Sequence, residues 1–600
     1  MKGHMQWRIQ SKKADFDEIS EKYHIDPVIA RIIRNRDIIE DDEIKEFLSC
    51  DISREHDPAL MKDMEKGCKI MSEKLRAKKK VRIISDYDVD GVMSNYILYQ
   101  GLRRVYRHMH GADAAAIDYD IPHRIHDGYG LNIRLTDKAY QDGVDTIITC
   151  DNGIAAFEAI EHAKELAMTV IVTDHHEVPA DIDEEGQKTY RLVPADAVID
   201  HKRPDCEYPF KELCGAGVAY KFIRLLYRMN GIDEDEAHEF IEYLGIATVC
   251  DIMKLCGENR TFVKLALERL SRSTNAGLRA LIANNNLEHK PITTYHLGFI
   301  IGPCINACGR LDDAKLSMDF LLEKNQHEAF SRAVTVTNIN NERKSMTKDG
   351  ADEANRLIEE GGEPDKVIVI YVKGLHESLA GIVAGRIKEK YYRPVLLFTD
   401  SEDPDTLKGS GRSIEAYNMF DELSACEGLF VKLGGHKMAA GFTIKRENLE
   451  KLRGTLNERC SLTEKDMTQM LMIDVPMPMS YADMELVRQM SVLEPFGSGN
   501  KQPVFAEKNI RIERAYVMGK NKNVLKLGMN SGGYHVEGIF FEPDDFIDDI
   551  KGWFGAAECD KMLRGMPNDV VLDIAYYPEI NSFGGRESLQ FHIIDYRHTL

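Results

Sequence analysis

Apolar residues follow three different rhythms along this chain. Up to residue 78 they recur at helical spacing behind acidic first turns, as in Asp26-Pro-Val-Ile-Ala-Arg-Ile-Ile33 and Asp41-Asp-Glu-Ile-Lys-Glu-Phe-Leu48, which predicts a helical cap over 1–78. From 79 to 275 the grammar changes to short apolar runs that end in polar clusters and are followed by helical periods. Val81–Ser85, Thr146–Cys150, Thr169–Thr173 and residues 192–199 are such runs, and 246–250 is read as a further one. Strands alternating with helices at this spacing predict a parallel α/β sheet, with ligands at the carboxyl ends of its strands. A helical connector is expected over 276–362, where the polar stretch 314–361, poor in Gly and Pro, predicts one extended helix. Strand candidates at 366–372 and 394–398 place a second α/β segment over 363–465. Over 466–600, and clearly from Asp474, short strand-like runs alternate with Gly and Asn turns, which predicts a small β-barrel.

Composition narrows the class. At 600 residues the chain is too long for one hydrophobic core and implies several domains. A hydrophobic content of 43% with 30% charged residues excludes wholesale disorder and a disulfide mini-scaffold. The start has no apolar signal segment, Met5 offers a second start, and no run of 18 apolar residues occurs, so a soluble cytoplasmic protein with no membrane partner is expected. Twelve cysteines without a C-x-x-C pair read as reduced core thiols; Cys304-x-x-x-Cys308 lacks further ligands nearby for a metal cluster. Lys and Arg number 78 against 99 Asp and Glu, a net charge of −21, which by itself argues against a nucleic-acid partner.

The positions of the acids answer that objection. Val81–Ser85 runs into Asp86-Tyr-Asp88-Val-Asp90-Gly91, Thr146–Cys150 into Asp151-Asn-Gly153, Thr169–Thr173 into Asp174-His175-His176, and 246–250 into Asp251. Four chain segments thus deliver carboxylates or imidazoles to one sheet edge. A single Asp-Gly after a strand is most often a turn or cap residue, but four such ends together need a cation to offset their repulsion. Mixed carboxylate and imidazole ligands favour manganese, magnesium or zinc over calcium, and several bridging carboxylates favour two ions over one. Two ions suit phosphate-ester hydrolysis. Of the adjacent histidines one can ligate while the other faces the phosphate: His175 as ligand with His176 on the phosphate, or the reverse.

These motifs resemble the signatures of the DHH phosphoesterase superfamily, and the wider sequence is similar to the RecJ-type single-strand-specific exonucleases. Further matches are Ile121-Pro-His-Arg-Ile-His-Asp-Gly-Tyr-Gly130, Leu213-Cys-Gly-Ala-Gly217, Asn306-Ala-Cys-Gly-Arg-Leu-Asp-Asp313, Gly374-Leu-His-Glu-Ser378, Lys408-Gly-Ser-Gly-Arg-Ser413, Gly434-Gly-His436 and Leu493-Glu-Pro-Phe-Gly-Ser-Gly-Asn500. The resemblance implies an α/β DHH parallel-sheet domain and a smaller DHH-associated α/β domain joined by a long helix, with a C-terminal OB-fold barrel. It implies a 5′ to 3′ exonuclease that releases 5′-mononucleotides from single-stranded DNA in recombination and repair, using two Mn2+ ions with Mg2+ as substitute. Asp88, Asp90, Asp151, His175 and Asp251 would be the metal ligands, with Asp86 supporting them and His176 on the scissile phosphate. Arg124, Arg310, Ser410, Arg412 and a glycine turn at Gly434-Gly435-His436 would hold the strand and its 5′ end. A single-strand-binding protein and a helicase are the implied protein partners of a monomer.

Two other functions compete. A DHH phosphoesterase for short oligonucleotides or cyclic dinucleotides would have no use for residues beyond 474, and an inactive binding partner would have lost ligands that are all present here. In the barrel Arg511, Arg514, Lys520, Lys522 and Lys526, with Tyr516, suit either a backbone-tracking groove with a stacking ring or, equally, a solvated face of alternating charge. The chain also departs from the family pattern. Cys304 stands where an arginine is usual and Cys308 where a small residue is usual, removing one basic contact, and Asp200-His201 replaces Asn-Pro, with His201 expected as a loop residue rather than a peripheral ligand. The acidic excess is expected on the cap and the connector, away from the strand.

Overall fold

The computed structural model of the chain describes residues 5–112, 116–124, 126–182, 187–519, 521–583 and 585–599. Ile125 of the 121–130 motif and Lys520 of the expected basic track lie outside them. The chain divides into two compact units.

The first unit comprises Lys45–Ser345 and Pro495–Lys501. Its centre is a five-stranded parallel sheet in the order Ile117–Asp120, Val81–Ser85, Thr146–Cys150, Thr169–Thr173, Ala197–Ile199. Val81–Ser85 and Thr146–Cys150 are buried at every position, as expected of strands covered on both faces by helices. The chain leaves Val81–Ser85 for a strand on one side and returns to one on the other, so a topological switch point lies between Val81–Ser85 and Thr146–Cys150. Ligands bind at such crevices, beyond the strands' carboxyl ends. Only Ala197–Ile199 of the run 192–199 is strand, since Pro194 has no amide to offer a ladder.

Residues 246–250, expected as a strand, are instead the end of the helix Ile241–Cys250, and Asp251 is its C-cap. The segment is apolar on all sides because it is a buried helix: a Cβ on Gly245 would lie 2.1 Å from the Cβ of Ala266 on the helix Gly257–Leu270. Periodicity cannot separate such a run from a buried strand. The single extended helix expected over 314–361 is two, Lys315–Leu322 and Gln326–Glu360. Asn325 breaks it, its side-chain oxygen accepting from the amides of His327 (2.9 Å) and Glu328 (3.2 Å) in place of helical carbonyls. Ten of the twelve cysteines are buried.

The second unit is built from the residues up to Ile44, Met346–Glu494 and the residues from Gln502. It holds a five-stranded mixed sheet in the order Phe430–His436, Ala439–Lys445, Thr406–Arg412, Val395–Asp400, Ile368–Tyr371. Alternate residues of its buried strands serve two cores, Val369, Leu396 and Phe398 on one face and Ile368, Ile370, Val395 and Leu397 on the other. The C-terminal strands Phe505–Met518, Val524–Ser531, Tyr534–Phe540, Arg586–His598 and Val571–Phe583 pair in that order, and Val571–Phe583 pairs back onto Phe505–Met518 to close a barrel. Helices Pro543–Phe554 and Ala556–Leu563 fall between the third and fourth strands in sequence, so the barrel has OB connectivity. The N-terminal segment, expected to be wholly helical, also contains the strand Gln6–Ile9, which pairs in parallel with Met470–Ile473.

Candidate active site

Each acidic side chain at the carboxyl edge of the parallel sheet is placed by a local device. Asp86 follows Val81–Ser85, and a Cβ at Gly91 would come within 2.3 Å of its carbonyl oxygen, so only glycine lets the next helix turn back so tightly. Asp88 caps that helix, Val89–His110, accepting from the Gly91 amide at 3.1 Å. Asp90 accepts from the Gly215 and Ala216 amides, at 2.6 and 2.8 Å, where the helix Gly215–Met229 begins. Asp151 adopts a left-handed φ of 60°, strain of the kind that persists where surrounding contacts over-determine the backbone. Two contacts of that sort are present: Tyr129 donates to the Asp151 carbonyl at 2.7 Å, and a Cβ on Gly215 would sit 2.7 Å from the Asp151 Cβ.

These devices bring the expected ligands together. His175 Nε2 lies 3.0 Å from Asp151, 3.5 Å from Asp90 and 3.7 Å from Asp251. Within 4.8 Å of one another lie the ligand atoms of Asp90, His175 and Asp251, those of Asp86, Asp88 and Asp151, and those of Asp151, His175 and His176. Asp86 therefore offers an oxygen alongside the ligands it was expected only to support. Burial, reinforced by neighbouring carboxylates, pushes Asp86, Asp88 and Asp151 above the ordinary carboxylate range and Asp251 to about 8. Asp86 Oδ1 is buried with no hydrogen-bond donor among the described residues. Crowded, desolvated carboxylates beside an imidazole are a donor set that a divalent cation fits.

The two histidines differ. Burial holds His175 below its usual pKa, in the neutral form that ligates. Burial also opposes charge on His176, but Asp174 Oδ1, 2.7 Å from His176 Nδ1, outweighs it and lifts the imidazole to about 9. Asp174 is itself held by the His175 amide (2.7 Å) and the Ile154 amide (2.9 Å). Sequence reasoning placed Asp174 at the acidic sheet edge without naming what it holds and gave Tyr129 no role, although it lies inside a quoted motif; the Tyr129 hydroxyl is 3.2 Å from the His176 ring. The Arg124 guanidinium lies 4.0 Å from the centre of the Tyr87 ring. Arg310 is close enough to Arg124 and Asp88 to feel both, and burial followed by the Arg124 charge lowers it to about 10. Asp200 and His201 lie in the loop after Ala197–Ile199, as expected of His201, but are fully buried, and burial pushes Asp200 up to about 8 and His201 down to about 3.

The remaining expected residues gather in the second unit. Sheet register aligns Ser410, Gly441 and Gly434 in one row and Arg412, Ala439 and His436 two residues along, so the side chains of these rows share a face. Arg412 donates to Ser410 Oγ (2.9 Å) and to the Gly411 carbonyl (2.7 Å), and no carboxylate pairs with it among the described residues. Gly381 is pressed against both, since a Cβ there would meet the Arg412 guanidinium at 2.6 Å and Ser410 Oγ at 2.9 Å. Gly434-Gly435-His436 is not a turn but the end of a strand. Gly435 opposes Ala440 so closely that a Cβ would lie 2.5 Å from the Ala439 carbonyl. Of the barrel residues, Lys526 and Arg514 reach Glu537 at 2.7 and 3.7 Å, which partly neutralises the expected basic track, and Arg511 donates to the Asn568 carbonyl.

A carboxylate–imidazole cluster at the switch point of a parallel sheet, in a chain that also carries a smaller mixed-sheet domain with Ser410 and Arg412 on one face, defines a phosphoesterase of the DHH class. Family models match accordingly: the DHH family N-terminal domain over 80–248, the DHHA1 domain over 365–462 and the RecJ OB domain over 473–595. The chain belongs to the RecJ family. It is 31% identical over 549 residues to the single-stranded-DNA-specific exonuclease RecJ of Bacillus subtilis, covering 91% of this chain and 67% of that protein. It is 30% identical over 600 residues to that of Haemophilus influenzae, covering 95% and 96%. RecJ of Thermus thermophilus in complex with Mn2+ has the same fold, with a TM-score of 0.80 at 23% identity over 100% of this chain and 80% of that one; its Mg2+ complex gives 0.73 at 22% over 99% and 79%.

Proposed function

We infer that this chain is a metal-dependent 5′ to 3′ exonuclease that hydrolyses single-stranded DNA to 5′-mononucleotides in recombination and repair. The observation that carries the reading is the convergence of Asp86, Asp88, Asp90, Asp151, His175 and Asp251 around overlapping groups of ligand atoms. Their overlap at Asp151 and His175 favours two ions, Mn2+ first and Mg2+ as substitute. When bound, such ions activate water and offset the charge that grows on a phosphate during displacement.

The chain's own residues supply the rest. His176, kept protonated by Asp174, donates to a non-bridging oxygen of the scissile phosphate and stands ready to pass its proton to the departing 3′ oxygen. Arg124 and Arg310 orient the backbone near Asp88. Each cut breaks the P–O3′ bond, so the released nucleotide keeps its own 5′ phosphate and the shortened strand acquires a new one. Ser410, Arg412 and His436, with Gly381 giving close backbone approach, are suited to hold that terminal phosphate and so to set direction. Single strands carrying a block at the 5′ or the 3′ end, incubated with Mn2+, test the reading. A 5′ block should stop degradation and a 3′ block should not; indifference to the 5′ block would refute the assigned direction. Asp151→Ala should lose cleavage while the fold persists.

A further inference from the structure

Beside Asp251 the first unit carries an aromatic surface that the chemistry above does not use. The short helix Thr294–His296 runs into one π-helical turn, Leu297–Ile301, before the helix Gly302–Leu311. Across that turn the rings of Tyr295 and Phe299 stack, with centroids 5.0 Å apart and planes 24° from parallel. Tyr295 is 60% exposed and Phe299 65%, whereas Leu297 and Ile301 of the same turn are buried in the core. The core is thus served without the two rings.

The pair is tied to the end of the ligand-bearing helix. Cys250 Sγ donates to the Leu297 carbonyl at 3.6 Å, a Cβ on Gly302 would lie 2.2 Å from that sulfur, and a Cβ on Gly298 would touch Val249 at 3.8 Å. On its other side Thr294 Oγ1 donates to the Phe496 carbonyl at 2.7 Å. Ile252, immediately after Asp251, is held at a φ of 58° and is 75% exposed. Single π turns are uncommon and concentrate at functional sites, and an exposed stack of two large rings requires an explanation of the same kind.

We propose that Tyr295 and Phe299 form a stacking platform for unpaired bases of the DNA strand as it leaves the metal centre. The inference rests on the exonuclease reading above. A flat aromatic face accepts any base, which suits an enzyme that must pass every sequence through one site, and it offers nothing to a base already stacked and paired in a duplex. It also addresses the charge of the chain. Residues 79–275 carry 23 basic side chains against 34 acidic ones, so attraction for phosphates is limited to a few arginines and binding needs a contribution that does not depend on charge.

The test is steady-state hydrolysis by the full chain at saturating Mn2+, using 5′-phosphorylated oligo-dT and a series in which one position at a time is abasic. Tyr295→Ala with Phe299→Ala should raise KM about ten-fold while kcat changes less than two-fold. One abasic position should impose the same penalty on the unmodified enzyme and no further penalty on the variant. Tyr295→Leu with Phe299→Leu keeps an apolar surface without an aromatic face and should behave like the alanine pair; full activity of the leucine pair would overturn the proposal. So would an unchanged KM in the alanine pair, or an abasic series that penalises enzyme and variant alike. Failure of the unmodified enzyme to degrade the all-base strand would instead sink the exonuclease reading, and this inference with it.

Discussion

Replacing Gly215 by alanine should disable the enzyme without touching a ligand. The added Cβ would stand 2.7 Å from the Asp151 Cβ and 3.0 Å from both the Asp151 Cα and Oδ1. Ordinary carbon–carbon contact begins near 3.6 Å, so the helix start and Asp151 must separate by about 0.9 Å. Asp151 cannot yield freely, because its left-handed backbone is held by Tyr129, and Gly215 cannot yield without stretching its 2.6 Å hydrogen bond to Asp90. Either way one of two neighbouring ligands leaves its place. Overpacking of this size costs about 1–3 kcal/mol of stability, and displacement of a reacting group by about 1 Å costs on the order of a hundred-fold in rate. Thermal unfolding in EDTA together with Mn2+-dependent release of mononucleotides measures both. Activity within three-fold of the unmodified enzyme would show that the Gly215–Asp151 contact does not position the site.

Three further outcomes are expected. Asp251 has a folded pKa of about 8 against an ordinary 3.8, so it binds a proton more tightly in the folded state. Metal-free stability should therefore fall as pH rises from about 4 to 8, and the Tm gain from Mn2+ should be larger at pH 8 than at pH 6, which paired melts in EDTA and MnCl2 would reveal. Arg412→Ala should lower kcat/KM on 5′-phosphorylated strands by roughly ten- to hundred-fold and much less on 5′-hydroxyl strands, since a charged hydrogen bond contributes about 1.5–3 kcal/mol; equal losses would exclude a phosphate pocket. Tyr129→Phe removes the bond that holds the strained Asp151 carbonyl and should cost about ten-fold in activity and raise the Mn2+ concentration needed for half-maximal rate, read from metal titrations of the rate.

The candidate metal centre was legible because its residues lie within a few positions of strand ends, where local pattern and chemistry coincide. Asp251 was placed correctly beside the others by a wrong route, since the apolar run before it is a buried helix. Asp174 and Tyr129 were not legible as positioning groups, because their partners, His176 and the Asp151 carbonyl, are identified only by geometry. Long-range pairing was equally hidden: nothing around Gln6–Ile9 announces a partner strand at Met470–Ile473. The distribution of charge also differs from expectation. Residues 1–78 hold 16 basic and 17 acidic side chains and 276–362 hold 10 and 12, so the cap and connector are nearly balanced. The excess lies in 79–275 and in 466–600, where 13 basic residues face 20 acidic ones, while 363–465, which bears Arg412, has 16 of each.

Pro495–Lys501 belongs to the first unit although the sequence on both sides of it builds the second. The Ser498 carbonyl accepts from the Leu255 amide at 2.8 Å, and a Cβ on Gly497 would strike the Leu255 side chain at 2.7 Å. A cut before Pro495 therefore removes part of the first unit together with the barrel. A chain shortened after the mixed-sheet domain to make a minimal nuclease would also lose a strap seated four residues beyond Asp251. A loss of activity in such a fragment would then report damage to the catalytic unit as well as loss of grip on DNA. Trimming that leaves Pro495–Lys501 in place, or that grafts it back as a short loop, is the cleaner way to separate the two.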